Sequence, residues 1–311
     1  MNYRIVRAEV SQAETLTEII NQHEHTIDSE ATPIGIEESQ ELIEGFFDPA
    51  LASFIFTEGI DEPSAFFSVN PDANRKRLFT DVYARPGSNQ IKDALIESLK
   101  AAAAKFPDYE NWYGVNTKDA VMRSALESLG MQVIRTYWLM KKELTTGDAV
   151  ESARPEVSIR LISGDKDMQT WWELHQDSFS KHFGFAPRPM ELWIEQTKAA
   201  STLDPESCFI LEYESEPAGF VQLANSNYHL NGGYVDVLGV AHKFQGLGLG
   251  QTLLQHAINH SVQQGREFIE LNVDSGNESG ALRLYEKLGF RANSAWEQYE
   301  NKNWVEFVRG L

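Results

Sequence analysis

Three glycines at alternate positions are the residues of this sequence best placed to do chemistry. They lie in the segment Gln245-Gly246-Leu247-Gly248-Leu249-Gly250, between a strand-like apolar run that ends at Val240 and a helical pattern that includes Leu253 and Leu254. Glycine allows the backbone to turn sharply and to approach a ligand closely. The first N–H groups of the following helix lack helical partners and carry the positive end of its dipole. The segment therefore predicts a cradle for an anion such as a diphosphate.

Other anion-binding turns fit this segment less well. The turn has no G-K-[ST] ending, so it is not the P-loop of a nucleotide-binding protein. Its spacing is G-x-G-x-G rather than G-x-G-x-x-G, and no acidic residue follows at the place expected for a ribose contact. Both departures argue against a dinucleotide site. For the turn alone, a plain connection between a strand and a helix, with glycines for close packing, remains the alternative.

A second segment adds a group that can donate a proton. After the strand-like run Phe268-Ile269-Glu270-Leu271-Asn272-Val273 come Asn277 and the run Ala281-Leu282-Arg283-Leu284-Tyr285-Glu286-Lys287-Leu288-Gly289-Phe290. The phenol of Tyr285 could protonate a leaving group during a reaction. The alternative for this ring is simple packing in the core of a helix.

Together, the two segments resemble the GNAT N-acetyltransferase superfamily. Val240 and the glycine turn match its coenzyme A signature, V-x(4)-[RQ]-G-x-G-x-[GA]. Asn277 and the run that ends at Phe290 match its second motif, N-x(3)-A-x(2)-L-Y-x(2)-x-G-F. The flanking strand-like runs extend the resemblance through residues 155–311. The resemblance implies an α+β fold with a mixed α/β sheet, acetyl-CoA as co-substrate and N-acetyltransferase activity.

The resemblance also implies where the coenzyme binds. In this superfamily the sheet splits between its fourth and fifth strands, here residues 234–240 and 268–273, and the pantetheine arm lies in the split. The arm would pair with backbone groups of Leu238 and Val240. Asn277 would bind the coenzyme or cap the last helix. The implied cofactor-binding residues are Leu238, Gly239, Val240, Gln245, Gly246, Leu247, Gly248, Leu249, Gly250, Asn277 and Tyr285.

Three residues are the candidates for catalysis. Tyr285 would protonate the departing coenzyme A thiolate, and the N–H of Leu238 would stabilise the oxyanion. The attacking amine must be neutral, and Asp236 lies on the same strand face as Leu238 by two-residue alternation, so it is the candidate base. The alternative for Asp236 is an ordinary partner of a basic side chain or a backbone N–H. Glu270 and Asn272 on the opposing strand are weaker candidates for the base.

The acceptor pocket is expected at the loop between the first two helices of the second half. Residues 179–189 alternate aromatic and polar side chains between glycine and prolines, which is typical of a lid over a small-molecule pocket. The candidate substrate-binding residues are His182, Phe183, Glu191 and Trp193. An ordinary packed loop explains the same pattern equally well, and the identity of the acceptor does not follow from it.

Composition limits the class of protein. The 311 residues suffice for about two domains, and 42% of them are hydrophobic, as in packed globular proteins. The single cysteine, Cys208, excludes an internal disulfide and fits a cytoplasmic protein. No apolar run is long enough to span a membrane, and the net charge of −19 argues against a nucleic-acid partner. We expect a monomer or homodimer that acts on a small-molecule amine.

The chain has an internal repeat, which predicts two tandem GNAT domains. Both halves run strand, two helices, hairpin, long strand, helix, strand, helix, strand. The first copy has a single glycine, Gly87, in its turn, and Leu126 in place of Tyr285. We therefore expect a degenerate GNAT-like domain over residues 1–145. After a polar linker, we expect an acetyltransferase domain that binds acetyl-CoA over residues 155–311.

Three functions remain open at this stage. The first is transfer of an acetyl or short acyl group to a primary amine of a small molecule by direct attack. The second is a catalytically silent module that senses acyl-CoA. The third keeps the enzyme but makes the acceptor the amine of a cysteine-containing thiol. No metal is expected, because His256 and His260 lack an H-E-x-x-H pattern and a third ligand, and we expect both to be exposed.

Overall fold

Two compact units make up the chain. The first contains Met1–Thr136 and Ala295–Leu311, and the second contains Tyr137–Ser294. This division differs from the predicted boundary at residues 145–155, because the final strand of each repeat belongs mainly to the other unit. The structure is a computed structural model that describes residues 3–150, 154–276 and 280–310.

The first unit is built on a mixed sheet. Its strands are β1 (Tyr3–Arg7), β2 (Leu51–Thr57), β3 (Ala65–Asp72), β4 (Arg77–Ala84) and β5 (Glu110–Asn116), joined by most of β12 (Arg291–Glu300). Its helices are α1 (Ala13–Ile27), α2 (Ile36–Glu44), α3 (Ile91–Lys105), α4 (Ala120–Ser128) and α9 (Trp304–Arg309). The strand order is β1-β2-β3-β4-β5-β12, with β4 and β5 parallel and the other pairs antiparallel.

The second unit repeats this plan. Its strands are β6 (Gln132–Glu143), β7 (Val157–Leu161), β8 (Leu203–Tyr213), β9 (Glu216–Ala224), β10 (Gly232–Val240) and β11 (Phe268–Asp274). Its helices are α5 (Gly164–Phe179), α6 (Met190–Ala199), α7 (Leu249–Gln263) and α8 (Ala281–Lys287). The strand order is β6-β11-β10-β9-β8-β7, with β10 and β11 parallel and their neighbours antiparallel. The predicted α+β fold with a tandem repeat is thus confirmed.

The cores explain why these segments fold as they do. The apolar positions of α7 recur at helical spacing, so Leu253, Leu254, Ala257 and Ile258 share one face and are at most 1% exposed. Burial of each leucine side chain is worth about 1.5–3 kcal/mol, which fixes α7 on the sheet. In the first unit, β3 is buried along its whole length, as expected for a central strand covered on both faces.

The element boundaries show where the sequence pattern was incomplete. Strand β8 begins at Leu203, before the apolar run that starts at Ser207, because its pairing with β9 has an irregularity between Leu203 and Cys208. Helix α9 has only six residues, too few for a periodic signal, and was not foreseen. Its Trp304 is 3% exposed and packs in the core of the first unit.

Candidate active site

The parallel strands β10 and β11 part along their length. Their last pair is Val235 opposite Leu271, although β10 continues to Val240 and β11 to Asp274. Beyond Val235 no further pair joins the two strands among the described residues. The second unit therefore has a split in its sheet at the place implied by the resemblance.

The backbone of β10 beyond this point faces the split. The Ala241 N–H donates a hydrogen bond to the Ala218 carbonyl, with an N···O distance of 2.9 Å. Because backbone groups of alternate residues point to the same side of a strand, Leu238 and Val240 direct theirs away from β9 and toward the split. The Val240 carbonyl accepts a hydrogen bond from the Gln245 side-chain amide at 3.1 Å. This is the edge along which an extended ligand could pair.

A bulge in β10 places Asp236 at the start of the split. The pairing of β10 with β9 shifts between Val235 and Val237, so Asp236 is an extra residue without a partner on β9. Its Oδ2 accepts a hydrogen bond from the Gln222 side-chain amide at 2.9 Å. Asp236 is an exposed residue, but many protein atoms surround its carboxyl group. The water that these atoms displace would stabilise the charged form, so the pKa of the carboxyl is raised. Simple strand alternation did not foresee the bulge.

The glycine turn has the conformation that its sequence predicts. Gly246 and Gly248 have φ angles of 81° and 76°, in the left-handed region that glycine adopts without strain. Gly248 is the N-cap of α7, so the first free N–H groups of that helix follow directly. Residues 245–248 are exposed. An anion can therefore reach these backbone amides.

Arg154, which precedes β7, contacts the glycine turn, and the sequence analysis did not identify it. Its guanidinium donates hydrogen bonds to the Leu247 carbonyl at 3.2 Å and to the Thr252 hydroxyl at 3.4 Å, and it forms an ion pair with Glu156 at 3.0 Å. The segment before β7 was interpreted as a linker, because its polar residues, glycine and proline carry no periodic signal. The only available sign was a basic residue next to the predicted strand.

Two other glycines of the implied site, Gly239 and Gly250, differ in how closely their neighbours pack. A side chain at Gly239 would overlap Ser178 of α5 and Phe220 of β9, so glycine lets α5 approach the strand. A Cβ at Gly250 would lie 3.7 Å from Leu284 of α8 and 3.9 Å from Val240. These are ordinary van der Waals distances, so Gly250 lies beside α8 and the end of β10, but the packing there does not require glycine.

Tyr285 lies on α8, in the turn that approaches α7. The residue before it, Leu284, is the α8 contact of Gly250, and Lys287 donates a hydrogen bond to Gln251 of α7 at 2.9 Å. Tyr285 is half-buried, and burial raises the pKa of its phenol to about 12. The phenol therefore keeps its proton at neutral pH and can donate it.

The candidate acceptor-binding residues fall into two groups. His182, Phe183 and Glu191 are exposed at the α5–α6 loop and the start of α6. Trp193 is 5% exposed and packs edge-on against Trp171, with 5.1 Å between ring centroids. Trp193 therefore supports the core beneath the loop rather than presenting a free ring, because the helical period of α6 turns it inward.

His182 lies near the end of the split. Burial lowers its pKa, Asp274 at the end of β11 opposes this effect, and His242 just after β10 adds to it. Its ring centroid lies 4.6 Å from that of Phe179. An imidazole whose pKa is lowered is neutral at pH 7 and can accept a proton.

The first unit has a corresponding split, but its own side chain occupies it. The pairing of β4 with β5 ends at Thr80 opposite Tyr113. The Arg85 N–H donates to the Ser64 carbonyl at 2.9 Å, so the neighbouring Ala84 faces away from β3. The His23 Nδ1 atom lies 3.2 Å from the Ala84 carbonyl oxygen and 3.4 Å from its nitrogen.

His23 is itself held in place. Its Nε2 atom lies 3.4 Å from Asp119, the residue that caps α4. The remaining cavity is about 20 Å³, room for about one water molecule, and Glu24 and Asp81 also line it. Burial raises the pKa of Asp81 to about 6 and that of Glu24 to about 7. The glycine turn has no counterpart here beyond Gly87, as expected.

The two weaker candidates for the base, Glu270 and Asn272, both already have side-chain partners. Glu270 is 3% exposed and accepts a hydrogen bond from Asn227 at 2.8 Å, in the part of β11 that is still paired with β10. Asn272 donates to the Tyr234 hydroxyl at 2.7 Å. Asn277, implied as a coenzyme ligand or helix cap, lies outside the described residues.

We expected His256 and His260 on α7 to be exposed, but both are partly buried. The rings of His256 and His260 contact Phe209, with centroid distances of 4.5 and 5.1 Å, and His260 lies 3.0 Å from the Ser207 hydroxyl. Burial lowers the pKa of His256 to about 4. Cys208 is 2% exposed, and burial raises its pKa to about 12, so the thiol is not a nucleophile. In the described ranges, no three acidic, histidine or cysteine residues could together hold a metal.

The second unit thus combines a mixed sheet that opens between β10 and β11 with a glycine turn at the start of α7. Residues 168–290 match the Acetyltransferase (GNAT) family, and they contain the split, the turn and Tyr285. This match confirms the predicted resemblance to the GNAT acetyltransferase family over residues 168–290. Over the described residues, no helix combines the length and apolar character needed to cross a bilayer.

Two curated relatives match part of this chain. The chain is 32% identical to a mycothiol acetyltransferase of Paenarthrobacter aurescens (strain TC1), over 52% of this chain and 51% of the relative. It is 27% identical to a mycothiol acetyltransferase of Arthrobacter sp. (strain FB24), over 68% of this chain and 66% of the relative. The matches with these two proteins therefore span between half and two thirds of the relatives' lengths.

Solved structures match the fold over nearly the whole chain. A GCN5-related N-acetyltransferase from Sphaerobacter thermophilus has a TM-score of 0.77 at 16% identity, covering 96% of this chain and 95% of its own. A tandem GNAT protein from the clavulanic acid biosynthesis pathway has a TM-score of 0.76 at 11% identity, covering 96% and 98%. At these identities the likeness shows the tandem fold alone.

Proposed function

We propose that the second unit binds acetyl-CoA in the split between β10 and β11 and transfers the acetyl group to a primary amine of a small molecule. One observation carries this proposal: the two strands part beside the glycine turn, which leaves the backbone of Leu238 and Val240 facing the gap. The match of residues 168–290 to the acetyltransferase family supports the same reading.

The coenzyme would be held mainly by backbone groups. Its pantetheine amides would pair with Leu238 and Val240, as an added strand pairs with a sheet edge. Its diphosphate would take N–H groups from residues 246–250, where the helix dipole of α7 also favours negative charge. The guanidinium of Arg154 adds a positive charge beside the turn.

The transfer step then needs three functions. The amine nitrogen attacks the thioester carbon, and the Leu238 N–H donates to the oxyanion, which is worth about 2.7–4 kcal/mol in the transition state. Asp236 accepts the amine proton, directly or through water. When the C–S bond breaks, the departing thiolate takes a proton from Tyr285, which keeps that proton at neutral pH.

The acceptor is proposed at the level of chemical class. The curated relatives are named mycothiol acetyltransferases, so amines of cysteine-containing thiols are the first acceptors to test. The exposed residues His182, Phe183 and Glu191 at the α5–α6 loop are proposed to contact the acceptor. Trp193 would support them from the core.

Release of free coenzyme A from acetyl-CoA, measured over a panel of primary amines with and without a cysteinyl group, tests this function. We expect release above the rate of hydrolysis with at least one amine, together with binding of acetyl-CoA in calorimetry. Binding without turnover on any amine would favour a silent acyl-CoA sensor. Absence of binding heat would overturn the site itself.

A further inference from the structure

Asp236 is held by one neighbour that the proposed chemistry does not yet use. Its Oδ2 atom accepts a hydrogen bond from the Gln222 amide at 2.9 Å. Gln222 is 8% exposed, whereas Asp236 is open to solvent. Among the described residues, the structure gives Oδ1 of Asp236 no hydrogen-bond partner. The buried amide thus fixes one oxygen and leaves the other for water or an acceptor.

The bulge makes this hydrogen bond possible. Gln222 lies on β9 opposite Val237, one residue beyond Asp236, because the register shifts at the bulge. An extra residue of this kind redirects its side chain, and bulges are frequent beside active sites. The amide of Gln222 spans the offset and reaches the redirected carboxylate. Sequence alternation alone would give neither residue this position.

The first unit contains a similar pair in a different setting. Asn70 on β3 donates to Asp81 on β4, but at 3.5 Å, and it also donates to Ser68 at 3.0 Å. Asp81 is paired in regular register with Ser68, without a bulge. The amide is therefore shared in the first unit and committed to the carboxylate in the second.

We propose that Gln222 is a positioning residue for acetyl transfer, which orients the Asp236 carboxylate so that its second oxygen takes the proton of the attacking amine. This inference rests on the proposed function. In the step, the nitrogen forms a bond to the thioester carbon and its proton passes to Oδ1 of Asp236. The C–S bond then breaks, and the thiolate takes the proton of Tyr285.

Hydrogen bonding to the charged form of a carboxyl lowers its pKa, so Gln222 opposes the effect of burial on Asp236. Asp236 is close enough to raise the pKa of Cys208 of β8 and of Tyr234 of β10. Burial raises the pKa of both well above neutrality, to about 12 for Cys208. Neither group changes its charge between pH 4 and pH 8, so the NMR signal of Asp236 itself is followed in that range.

The test replaces Gln222 with methionine, which has similar length but no donor. In Gln222→Met we expect the pKa of Asp236 to rise by about one unit, since one hydrogen bond to a charged group is worth about 1.5 kcal/mol. Carbon-13 NMR of aspartate-labelled protein measures this shift, with the Asp236 signal identified by its loss in Asp236→Asn. The acidic limb of kcat/KM should move by the same amount, with acetyl-CoA binding unchanged.

Two controls separate positioning from general damage. Asn70→Leu makes the equivalent change in the first unit, since leucine matches the size of asparagine without its donor, and should leave the acidic limb in place. Gln222→Met should cost nothing further when Asp236→Asn is already present. An unchanged pKa of Asp236 in Gln222→Met, or additive losses in the double variant, would overturn the positioning role. If the wild-type protein transfers acetyl to no amine of the panel, the proposed function fails. The activity assay gives that result without the NMR titration, so the two failures can be told apart.

Discussion

The two splits of this molecule have the same strand plan and opposite contents. In the second unit, Leu238 and Val240 face an opening, and Gln245 is the side chain that reaches the Val240 carbonyl. In the first unit, the equivalent backbone at Ala84 is covered by His23. A single side chain from the first helix thus closes one opening, while the other stays free for a ligand.

The difference concerns how each unit satisfies the backbone groups that its split exposes. An empty split leaves backbone groups that need partners, because buried polar groups without hydrogen bonds are costly. In the first unit, His23 supplies a partner to the backbone of Ala84, and Asp119 holds the His23 ring in place. In the second unit, the same need is an opportunity for a ligand with amide groups.

The largest effect should come from Tyr285, which has no counterpart in the first unit. We expect Tyr285→Phe to lower turnover about 100-fold or more, within the usual range for loss of a general acid, with little change in acetyl-CoA affinity. The matched change Tyr83→Phe, which removes a phenol next to the first split, should leave turnover intact. Release of coenzyme A under saturating substrates measures both. Equal rates for Tyr285→Phe and wild type would remove the phenol from the mechanism.

The buried carboxyl of the first split should make stability depend on pH. The pKa of Asp81 is about 6 in the folded protein against 3.8 for the ordinary group, so the folded state holds a proton that the unfolded state releases. This stabilisation is present below about pH 4 and is lost as the pH rises through 6. Asp81→Asn should therefore gain about 1–3 kcal/mol over wild type at pH 8 and nothing at pH 4.

Urea denaturation at the two pH values checks this expectation. A gain that is equal at pH 4 and pH 8 would show that the burial of Asp81 is not the cause. Because Asp236 is open to solvent, Asp236→Asn should show a smaller dependence on pH, and the pair of variants compares the closed split with the open one.

The glycine turn allows a matched comparison of backbone strain. Gly246 and Gly87 have φ angles of 81° and 78°, and a Cβ at either position would meet no atom within 4 Å. Replacement by alanine should cost each unit about 1 kcal/mol, since both leave a side chain in the left-handed region. Only Gly246→Ala should also weaken acetyl-CoA binding, by about tenfold. Thermal melts and calorimetry measure the two effects, and equal loss of affinity in Gly87→Ala would contradict the assignment.

The smallest change is expected when the closed split is opened. His23→Ala removes the partner of Ala84 and Asp119, at a cost of about 1–2 kcal/mol in stability. The number of acetyl-CoA molecules bound per chain should stay at one, because the first unit still lacks the alternating glycines. Calorimetry gives this number directly. A second binding event in His23→Ala would show that the imidazole alone excludes the coenzyme from the first unit.

Local signals in the sequence predicted much of this architecture. The glycine spacing predicted a sharp turn before α7, and the structure has one, with Gly246 and Gly248 in the left-handed region. The repeat of element types predicted the tandem fold. The sequence could not show features that depend on contacts between distant segments. The bulge at Asp236 arises from the register of β10 with β9. Arg154 reaches the turn from a segment without periodicity.

The predicted domain boundaries differ from those of the two units because the last strand of each repeat pairs within the other unit. A cut near residues 145–155 follows the repeat, but β6 pairs with β11 and β12 pairs with β5. Strand partners far apart in sequence carry no local signal. For the same reason, the inward turn of Trp193 and the cover of His23 over Ala84 could be seen only in three dimensions.

The pairing of β6 with β11 also bears on whether the two repeats can be separated. The half without a glycine turn supplies β6, which pairs along the whole of β11, one wall of the open split. Deleting residues 1–145 would remove β6 and leave the edge of β11 without a partner strand. We therefore expect separately expressed halves to fold only when they are produced together.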